Sequence, residues 1–274
     1  MHEAMPLIID PLALEARLQD QRLRIVDLSP AERHAAGHVP GALHLDYGRI
    51  VASAAPVMGL LPEIGVLRTI LAELGIGPDT HVVCYDEEGG GKAARLLWTL
   101  AVCGHEALSL LDGGVAGWSA AGLTISTQAA MDVAPTQTEY PLAYGTERVA
   151  DRAWILAHMK DEDVILVDAR STDEFTGRVA YAARGGHIPG AVSFEWTRCM
   201  DLEHNRRLRA EEALRRDLEA QGITPDKEIV VYCHTHHRSA LNWLALEHLG
   251  YERVRGYPGS WSDWGNRDDT PIET

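Results

Sequence analysis

The feature that most constrains this 274-residue chain is an internal duplication. Val-Asp-Leu at 26–28 followed by Gly-His-Val-Pro-Gly-Ala at 37–42 returns as Val-Asp-Ala at 167–169 followed by Gly-His-Ile-Pro-Gly-Ala at 186–191. The offset of roughly 145 residues far exceeds the period of solenoid repeats, so we expect two copies of one globular domain. A third matching pair lies further along each half: Val82-Val83-Cys84-Tyr85-Asp86 and Ile229-Val230-Val231-Tyr232-Cys233.

The duplication predicts a domain at residues 1–125, a linker at 126–146 and a second domain at 147–274. The linker carries Pro135 and Pro141 among polar residues and has no sustained hydrophobic periodicity, which is typical of a connecting segment. A chain of this length holds about two domains at roughly 150 residues each. Each half is therefore long enough to close its own core.

Each half alternates short β-branched runs with amphipathic helical patterns. The runs suit strands that are buried on both faces of a parallel sheet. Helical patterns at 208–221 and 239–249 each end at a glycine, Gly222 and Gly250, the residue that favours a helix stop. We predict an α/β fold of two tandem domains, each a doubly wound parallel sheet flanked by helices. The predicted strands are 23–27, 82–85, 164–168 and 228–232.

Charge and composition exclude several classes of protein. Forty acidic residues against 25 basic ones, a formal net charge of −15, argue against a nucleic-acid partner. The chain lacks a secretion signal pattern and a run of about 20 apolar residues, so we expect no membrane partner. Four cysteines without a CxxC spacing favour neither a disulfide scaffold nor structural zinc. We expect a soluble, cytoplasmic protein with free thiols.

The second copy places a cysteine where ligands bind in parallel sheets. Cys233 directly follows the predicted strand 228–232, at the carboxyl edge of the sheet. We define the active loop as residues 233–238, Cys-His-Thr-His-His-Arg. Successive backbone N–H groups of such a loop, aimed inward beside a helix N-terminus, stabilise an anion or a thiolate. Arg238 at the end of the loop carries the forked guanidinium that clamps an oxyanion.

The first copy differs at the same point. Asp86 stands where the second copy has Cys233, and two further acids, Glu87 and Glu88, follow it. A carboxylate among acids is not a soft nucleophile and repels anions. We therefore expect the first domain to be catalytically inactive.

Other histidines, aspartates and cysteines receive plainer interpretations. A metal site made by the active loop would need four ligands within five residues, so we predict no metal and expect some histidine rings to face solvent. His38, His187, Asp27 and Asp168 occur in both copies and are expected to be structural. Cys84 is expected in a buried strand and Cys103 in a helix, which leaves Cys199 as the other exposed thiol.

Taken together, these residues resemble a known family. The paired Gly-His-[Val/Ile]-Pro-Gly-Ala motifs, the six-residue loop at Cys233, Asp86 in the other copy and the turn Gly259-Ser260-Trp261 are similar to tandem-domain rhodaneses, which are thiosulfate sulfurtransferases. The resemblance covers essentially the whole chain. The common loop of the family is Cys-Arg-x-Gly, whereas residues 233–238 resemble the Cys-Gln-Thr-His-His-Arg loop of a bacterial subgroup.

The resemblance implies a two-step transfer without a metal or organic cofactor. Cys233 takes sulfane sulfur from thiosulfate as a persulfide and passes it to cyanide or another thiophilic acceptor, in covalent catalysis with ping-pong kinetics. It also implies the residues that bind the substrate: Arg184, His234, Thr235, His236, His237 and Arg238.

Three alternatives remain open. A 3-mercaptopyruvate sulfurtransferase shares the architecture, but its loop resembles Cys-Gly-[Ser/Thr]-Gly-x-[Ala/Thr], and residues 233–238 contain no glycine. A persulfide carrier would instead dock on a protein sulfur acceptor. Phosphatases of related fold place one more residue between Cys and Arg, whereas four residues separate Cys233 from Arg238. Thiosulfate is therefore the preferred donor.

Overall fold

The computed structural model of the protein describes residues 5–128 and 140–274. Residues 129–139 of the predicted linker, 126–146, lie outside this part of the chain. The chain divides into two compact units: unit 1 comprises Met1–Ile50, Pro62–Tyr144 and Asp201–Arg207, and unit 2 comprises Val51–Leu61, Gly145–Met200 and Leu208–Thr274. Each unit thus includes a short segment from the other half of the sequence, which the repeat pattern does not predict.

The first half of the chain contains seven strands and five α-helices within its described residues. The strands are β1 (Ile8–Ile9), β2 (Leu23–Asp27), β3 (Leu43–His44), β4 (Ala52–Ala54), β5 (Val57–Leu60), β6 (His81–Tyr85) and β7 (Leu108–Leu111). The helices are α1 (Pro11–Glu15), α2 (Ala31–Ala36), α3 (Ile64–Glu73), α4 (Gly91–Val102) and α5 (Gly114–Ala120), with a 3-10 turn at Tyr47–Ile50.

The second half repeats this alternation. Its strands are β8 (Val164–Asp168), β9 (Val192–Ser193), β10 (Met200–Asp201), β11 (Arg207–Leu208), β12 (Glu228–Tyr232) and β13 (Val254–Gly256). Its helices are α6 (Arg152–His158), α7 (Thr172–Phe175), α8 (Glu211–Glu219), α9 (Arg238–His248) and α10 (Ser260–Trp264), with a 3-10 turn at Trp196–Cys199.

Unit 1 contains a five-stranded sheet in the order β1-β7-β6-β2-β3, and every pairing in it is parallel. Its central strand β6 is buried over four of its five residues, as expected when helices cover both faces of a sheet. Tyr85 at the end of β6 is level with Asp27 at the end of β2. Asp86 therefore leaves the sheet at its carboxyl edge.

Unit 2 contains a four-stranded sheet in the order β13-β12-β8-β9, again parallel throughout. Tyr232, the last residue of β12, is level with Asp168, the last residue of β8. Helix α9 returns along this sheet and packs on β12 and β13. The predicted parallel α/β architecture is confirmed for both halves, and the turn from β12 into α9 presents the active loop.

The predicted strands and helices agree closely with the structure. All four predicted strands form, as β2, β6, β8 and β12, and the two helical patterns form α8 and α9. Gly222 and Gly250 follow these helices with φ of 76° and 81°, the left-handed conformation in which glycine avoids a steric cost. Within the described residues, no helix is both long enough and apolar enough to cross a membrane.

Candidate active site

Cys233 lies at the carboxyl edge of the sheet of unit 2, between β12 and α9. Cys233 is 1% exposed, so the surrounding protein covers nearly all of its surface. Its sulfur accepts hydrogen bonds from the Ser239 hydroxyl and from the backbone N–H groups of Ser239 and Thr235. The sulfur is therefore buried among hydrogen-bond donors rather than among hydrocarbon.

These donors decide the charge state of the thiol. Burial by itself raises the pKa of Cys233, but the Arg238 charge and the hydrogen bonds from Ser239 and Thr235 outweigh it and lower the pKa below that of an ordinary thiol. The attacking species in thiol chemistry is the thiolate, and cysteines beside an arginine at a helix N-terminus are the reactive ones. A lowered pKa and a set of donors around the sulfur are the surroundings expected of a nucleophilic cysteine.

The segment after β13 holds the active loop in place. Ser260 Oγ accepts hydrogen bonds from the N–H of Cys233 at 3.3 Å and from the N–H of His236 at 3.1 Å. It donates its own proton to the carbonyl of Tyr257 at 2.6 Å. The N–H groups of Trp261 and Ser262 donate to the carbonyls of Cys233 and His234, both at 3.0 Å.

This anchoring changes the expected orientation of the loop amides. Of the loop amides predicted to point inward, those of Cys233 and His236 turn toward Ser260 and that of Thr235 reaches the sulfur, where the N–H of Ser239 in α9 joins it. The reason is the Ser260 hydroxyl, which competes for the first two donors because buried N–H groups need an acceptor. The hydrogen-bond donors around the sulfur are therefore the N–H groups of Thr235 and Ser239 and the Ser239 hydroxyl.

Arg238 forms a two-pronged ion pair with Glu174 in the described structure. Nη1 donates to Oε2 at 2.7 Å and Nη2 donates to Oε1 at 2.9 Å, the bidentate geometry that arginine favours. Burial raises the pKa of Glu174, but its hydrogen bond and charge interaction with Arg238 prevail and lower it. Each Nη keeps a second N–H, so Arg238 retains donors for an anionic ligand.

The three histidines of the active loop have different surroundings. His236 is fully buried, with Nδ1 at 2.8 Å from Ser239 Oγ, while His234 and His237 are half-buried. The ring of His234 meets Tyr181 edge-on at 6.0 Å, and that of His237 lies 6.2 Å from the ring of Trp196. Burial lowers the pKa of His234, so its ring is neutral at physiological pH.

A hairpin from the first half of the sequence lies against the active loop. It consists of β4 and β5 and belongs to unit 2. The N–H of Met58 donates to Ser262 Oγ at 2.9 Å. Gly59 has φ of +73°, and a Cβ placed on it would stand 2.1 Å from the carbonyl oxygen of Thr235. Only glycine fits here, because a side chain would push on the active loop.

Arg184, predicted from the resemblance to reach the substrate, is engaged near the C-terminus. Its guanidinium donates to the carbonyls of Thr270 at 3.0 Å and Trp264 at 3.2 Å, and to Thr270 Oγ1 at 2.5 Å. Its Nε is buried and has no hydrogen-bond partner among the described residues. These contacts favour a structural contribution, and a role in substrate binding stays a prediction.

Several residues of the site escape the sequence argument. Glu174 and Ser260 lie in other segments of the second half, Gly59 lies in the first half, and Ser239 follows Arg238 in α9. Ser239 could have been found from the sequence, because it is a hydroxyl residue next to the active loop at the predicted start of a helix. No local pattern identifies Glu174 or Gly59, because their contacts arise only on folding.

Asp86 fills the corresponding loop of unit 1 with its own carboxylate. Oδ1 accepts the N–H groups of Glu88, Gly89 and Gly90 at 2.8–3.0 Å, and Oδ2 accepts that of Ala93 at 2.9 Å. Burial raises the pKa of Asp86, and the charge of Glu88 adds to this rise. The loop donors are thus used internally, as expected for a loop that binds no sulfur anion.

The other predicted structural residues can be placed as well. Asp168 pairs with the buried Arg170, whose Nη2 lies 2.6 Å from Oδ2, and Asp27 accepts the Tyr85 hydroxyl at 2.9 Å. The His187 ring bonds the carbonyl of Phe175 at 2.8 Å. These contacts tie the three side chains to neighbouring groups of the fold, and their structural role stays a prediction.

The expectation for Cys199 was wrong. Its side chain is 1% exposed at the end of a 3-10 turn, and burial raises its pKa to about 12. Cys103, just after α4, is the half-exposed one, with its pKa raised by burial to about 11. Cys84 is buried in β6 as predicted. Among the described residues, no group of three or more His, Cys, Asp or Glu side chains is arranged to hold a metal ion.

Fold and site together define a duplicated α/β protein with a cysteine of lowered pKa at the carboxyl edge of a parallel sheet. The Rhodanese-like domain family matches residues 10–121 and 151–267. The chain therefore belongs to the rhodanese family, as two tandem rhodanese-like domains.

Comparisons with known proteins agree with this assignment. The chain is 44% identical over 270 residues to a thiosulfate sulfurtransferase of Azotobacter vinelandii, covering 98% of each chain. It is 31% identical over 273 residues to a 3-mercaptopyruvate sulfurtransferase of Escherichia coli K12, covering 95% of each. The structure of an anaerobic ergothioneine biosynthesis enzyme from Chlorobium limicola has a similar fold, with a TM-score of 0.86 at 23% identity, covering 98% of this chain and 70% of that one.

Proposed function

We propose that this protein is a thiosulfate sulfurtransferase that carries sulfane sulfur as a persulfide on Cys233. The observation that carries the proposal is the buried Cys233 sulfur: burial raises its pKa, but Arg238, Ser239 and Thr235 outweigh burial and lower it. The relative at 44% identity is a thiosulfate sulfurtransferase. We also place the protein in the cytoplasm, since its four cysteines are free and thiols persist in reducing compartments.

In the first half-reaction, the Cys233 thiolate attacks the outer sulfur of thiosulfate. A new S–S bond forms to that sulfur while the original S–S bond breaks, and sulfite leaves with the electron pair. No proton is consumed, so the enzyme must supply the nucleophile already ionised. The N–H groups of Arg238 that do not bind Glu174, together with the active loop, orient the sulfonate group of thiosulfate, which leaves as sulfite.

In the second half-reaction, cyanide or another thiophilic acceptor attacks the outer sulfur of the persulfide. The S–S bond breaks and its electron pair returns to Cys233 as the thiolate. The Arg238 charge that lowers the pKa of Cys233 also makes this thiolate a better leaving group, because thiols of lower pKa leave faster. The same positive charge thus serves both half-reactions.

Thiocyanate formation from thiosulfate and cyanide tests this function directly. The wild-type protein should turn over, and Cys233→Ser should abolish turnover because a hydroxyl is a far poorer nucleophile at almost the same size. Cys103→Ser is the matched control, since Cys103 is the half-exposed thiol. Wild-type turnover by Cys233→Ser, or loss of turnover in Cys103→Ser alone, would contradict the proposal.

A second candidate donor is 3-mercaptopyruvate, because a relative at 31% identity is a 3-mercaptopyruvate sulfurtransferase. The absence of glycine from residues 233–238 and the presence of Arg238 favour the doubly charged thiosulfate. Comparing kcat/KM for the two donors decides between them. A higher value for 3-mercaptopyruvate would replace the donor and leave the persulfide on Cys233 unaffected.

The remaining alternatives are separable by activity. Hydrolysis of an aryl phosphate faster than sulfur transfer would favour a phosphatase, against the spacing of Cys233 and Arg238. Slow thiocyanate formation with rapid loading of Cys233 would favour a carrier that delivers sulfur to a protein acceptor.

A further inference from the structure

Three buried side chains are hydrogen-bonded in series between the end of β12 and the first turn of α9. His236 Nδ1 stands 2.8 Å from Ser239 Oγ, and the Ser239 hydroxyl hydrogen-bonds to the sulfur of Cys233. The three residues are at most 1% exposed. The His236 backbone takes a left-handed conformation, with φ of +53°, two residues before α9 begins.

The direction of the two hydrogen bonds in this series follows from the number of protons available. A hydroxyl carries one proton, and when Cys233 is a thiolate it can only accept. Ser239 must therefore donate its single proton to sulfur, and its oxygen must accept from His236. While Cys233 is a thiolate, the Nδ1 atom of His236 must therefore carry the proton that it donates to Ser239.

We propose that His236, Ser239 and Cys233 form a one-way hydrogen-bond chain in which Ser239 donates to the sulfur anion and His236 acts only by orienting and polarising Ser239. The chain goes beyond the proposed function on which it rests, because it assigns Ser239 as a catalytic residue and His236 as a positioning residue. Hydrogen bonds in series strengthen one another, most of all in a dry environment.

The chain should act unequally on the two half-reactions. In the free enzyme the negative charge lies on Cys233, where Ser239 donates to it. In the persulfide the negative charge moves to the outer sulfur, and the Cys233 sulfur becomes a weak hydrogen-bond acceptor. When cyanide or another thiophile attacks the outer sulfur, the S–S electron pair returns to Cys233, and Ser239 again donates its hydrogen bond to an anion. Ser239 therefore assists departure of the thiolate during discharge, and no proton is transferred.

The pH dependence of Cys233 alkylation tests the chain without requiring sulfur transfer. Iodoacetamide labelling of the Cys233 peptide, followed by mass spectrometry, gives the pH of half-maximal thiolate. Ser239→Ala should raise this pH by about one unit, because a hydrogen bond to an anion is lost. Ser239→Thr, which keeps the hydroxyl, should restore the wild-type profile.

The series arrangement is tested by combining substitutions. His236→Asn removes the ring while retaining a residue that tolerates the left-handed backbone. It should raise the half-maximal pH in the wild-type background, by less than Ser239→Ala does, and leave it unchanged in the Ser239→Ala background. An equal shift in both backgrounds would show that His236 does not act through Ser239 and would overturn the chain.

Ser109 supplies a matched control in unit 1. It is fully buried, lies 2.8 Å from His81 Nε2 and donates to the carbonyl of Pro6 at 2.6 Å, so it repeats the His-to-Ser-to-acceptor pattern without a cysteine. Ser109→Ala should lower thermal stability and leave the Cys233 profile unchanged. A shift equal to that of Ser239→Ala would show a general effect of destabilisation and contradict the proposal.

Single-turnover kinetics give the second readout. With Ser239→Ala, loading by thiosulfate should recover at alkaline pH as the thiolate forms, while discharge to cyanide stays several-fold slow. Normal discharge together with an unshifted alkylation profile would overturn the chain and leave the sulfurtransferase function standing. Failure of wild-type loading would overturn the function, while the alkylation profiles would still test the chain. If Ser239→Ala does not fold, an unchanged profile for His236→Asn is the contradicting result.

Discussion

At the scale of single residues, the site is a balance between burial and donated charge. Cys233 is almost completely enclosed, which alone favours the neutral thiol, and Arg238 with the Ser239 and Thr235 donors reverses this preference. Glu174 in turn forms an ion pair with Arg238, and this pairing stabilises the charged guanidinium in its half-buried position. The reactive sulfur thus depends on a carboxylate that does not touch it.

The pH dependence of kcat/KM for thiosulfate should reflect the lowered pKa of Cys233. Activity requires the thiolate, so the rate should fall as pH drops through that pKa, and the acid limb should lie below about 8.5, the value for an ordinary cysteine. Initial rates across a pH series at constant ionic strength measure it. An acid limb at or above the ordinary value would show that the donors fail to outweigh burial.

Removing Arg238 should affect both chemistry and stability. Arg238→Ala should raise the pKa of Cys233, lower kcat/KM for thiosulfate, and reduce the free energy of unfolding by about 3 kcal/mol, because Glu174 is left buried without its cation. Denaturant unfolding and steady-state kinetics measure the two effects. Adding Glu174→Gln should recover much of the stability and none of the activity. Recovered activity in the double variant would remove Arg238 from the site.

At the scale of elements, the active loop is held from outside its own strand and helix. The start of α10 supplies Ser260 and Ser262, and the β4–β5 hairpin supplies Met58 and Gly59. The peptide between Thr235 and His236 is fixed on both sides, because its carbonyl lies against Gly59 and its N–H donates to Ser260. A loop fixed in this way presents its donors without reorganising during the reaction.

Gly59→Ala should therefore act on the active loop. The added Cβ would stand 2.1 Å from the Thr235 carbonyl oxygen, so the loop or the hairpin must move, and kcat/KM should fall at least tenfold. Gly190→Ala is the matched control, since Gly190 has nearly the same φ, +75°, and no atom within 4 Å of its added Cβ.

The control should cost about 1–2 kcal/mol of stability through backbone strain alone and keep its activity. Thermal unfolding and thiocyanate assays on both variants separate strain from contact. Equal activity losses in the two variants would contradict a positioning role for the hairpin.

At the scale of the whole molecule, two copies of one domain carry different residues at the same edge of the sheet. Each has a parallel sheet and a loop at its carboxyl edge, but in the first the Asp86 carboxylate accepts hydrogen bonds from the loop N–H groups, whereas in the second Cys233 has Arg238 and Ser239 beside it. The loop after β6 has Glu87 and Glu88 near its anion position instead of an arginine. We therefore expect the sulfur anion to be held by the second copy alone.

Asp86→Cys should therefore create no second sulfur carrier. The new thiol would lie among acids, which raise a thiol pKa, and the four N–H donors would lose the carboxylate that accepts from them. We expect a loss of about 1–3 kcal/mol in the free energy of unfolding and no added sulfur on the peptide that carries the substitution after thiosulfate treatment. Stable loading at that position would contradict the proposed division of roles.

Much of this molecule follows from its sequence, because the buried strands and glycine-terminated helices are local patterns. The strands at 23–27 and 228–232, and the position of Cys233 after the second, are of this kind. The exchange of residues 51–61 and 201–207 between the units is not, since neither segment differs locally from an ordinary hairpin. Residue pairs such as Arg238 with Glu174 depend on tertiary contact, so sequence identified the loop but not what holds it.

The measurement that tests the account most directly is the mass of the intact protein after incubation with thiosulfate. A gain of one sulfur atom, located on the Cys233 peptide and removed by cyanide, is the predicted result. An unchanged mass, or sulfur located on the peptide of Cys84, Cys103 or Cys199 instead, would contradict it.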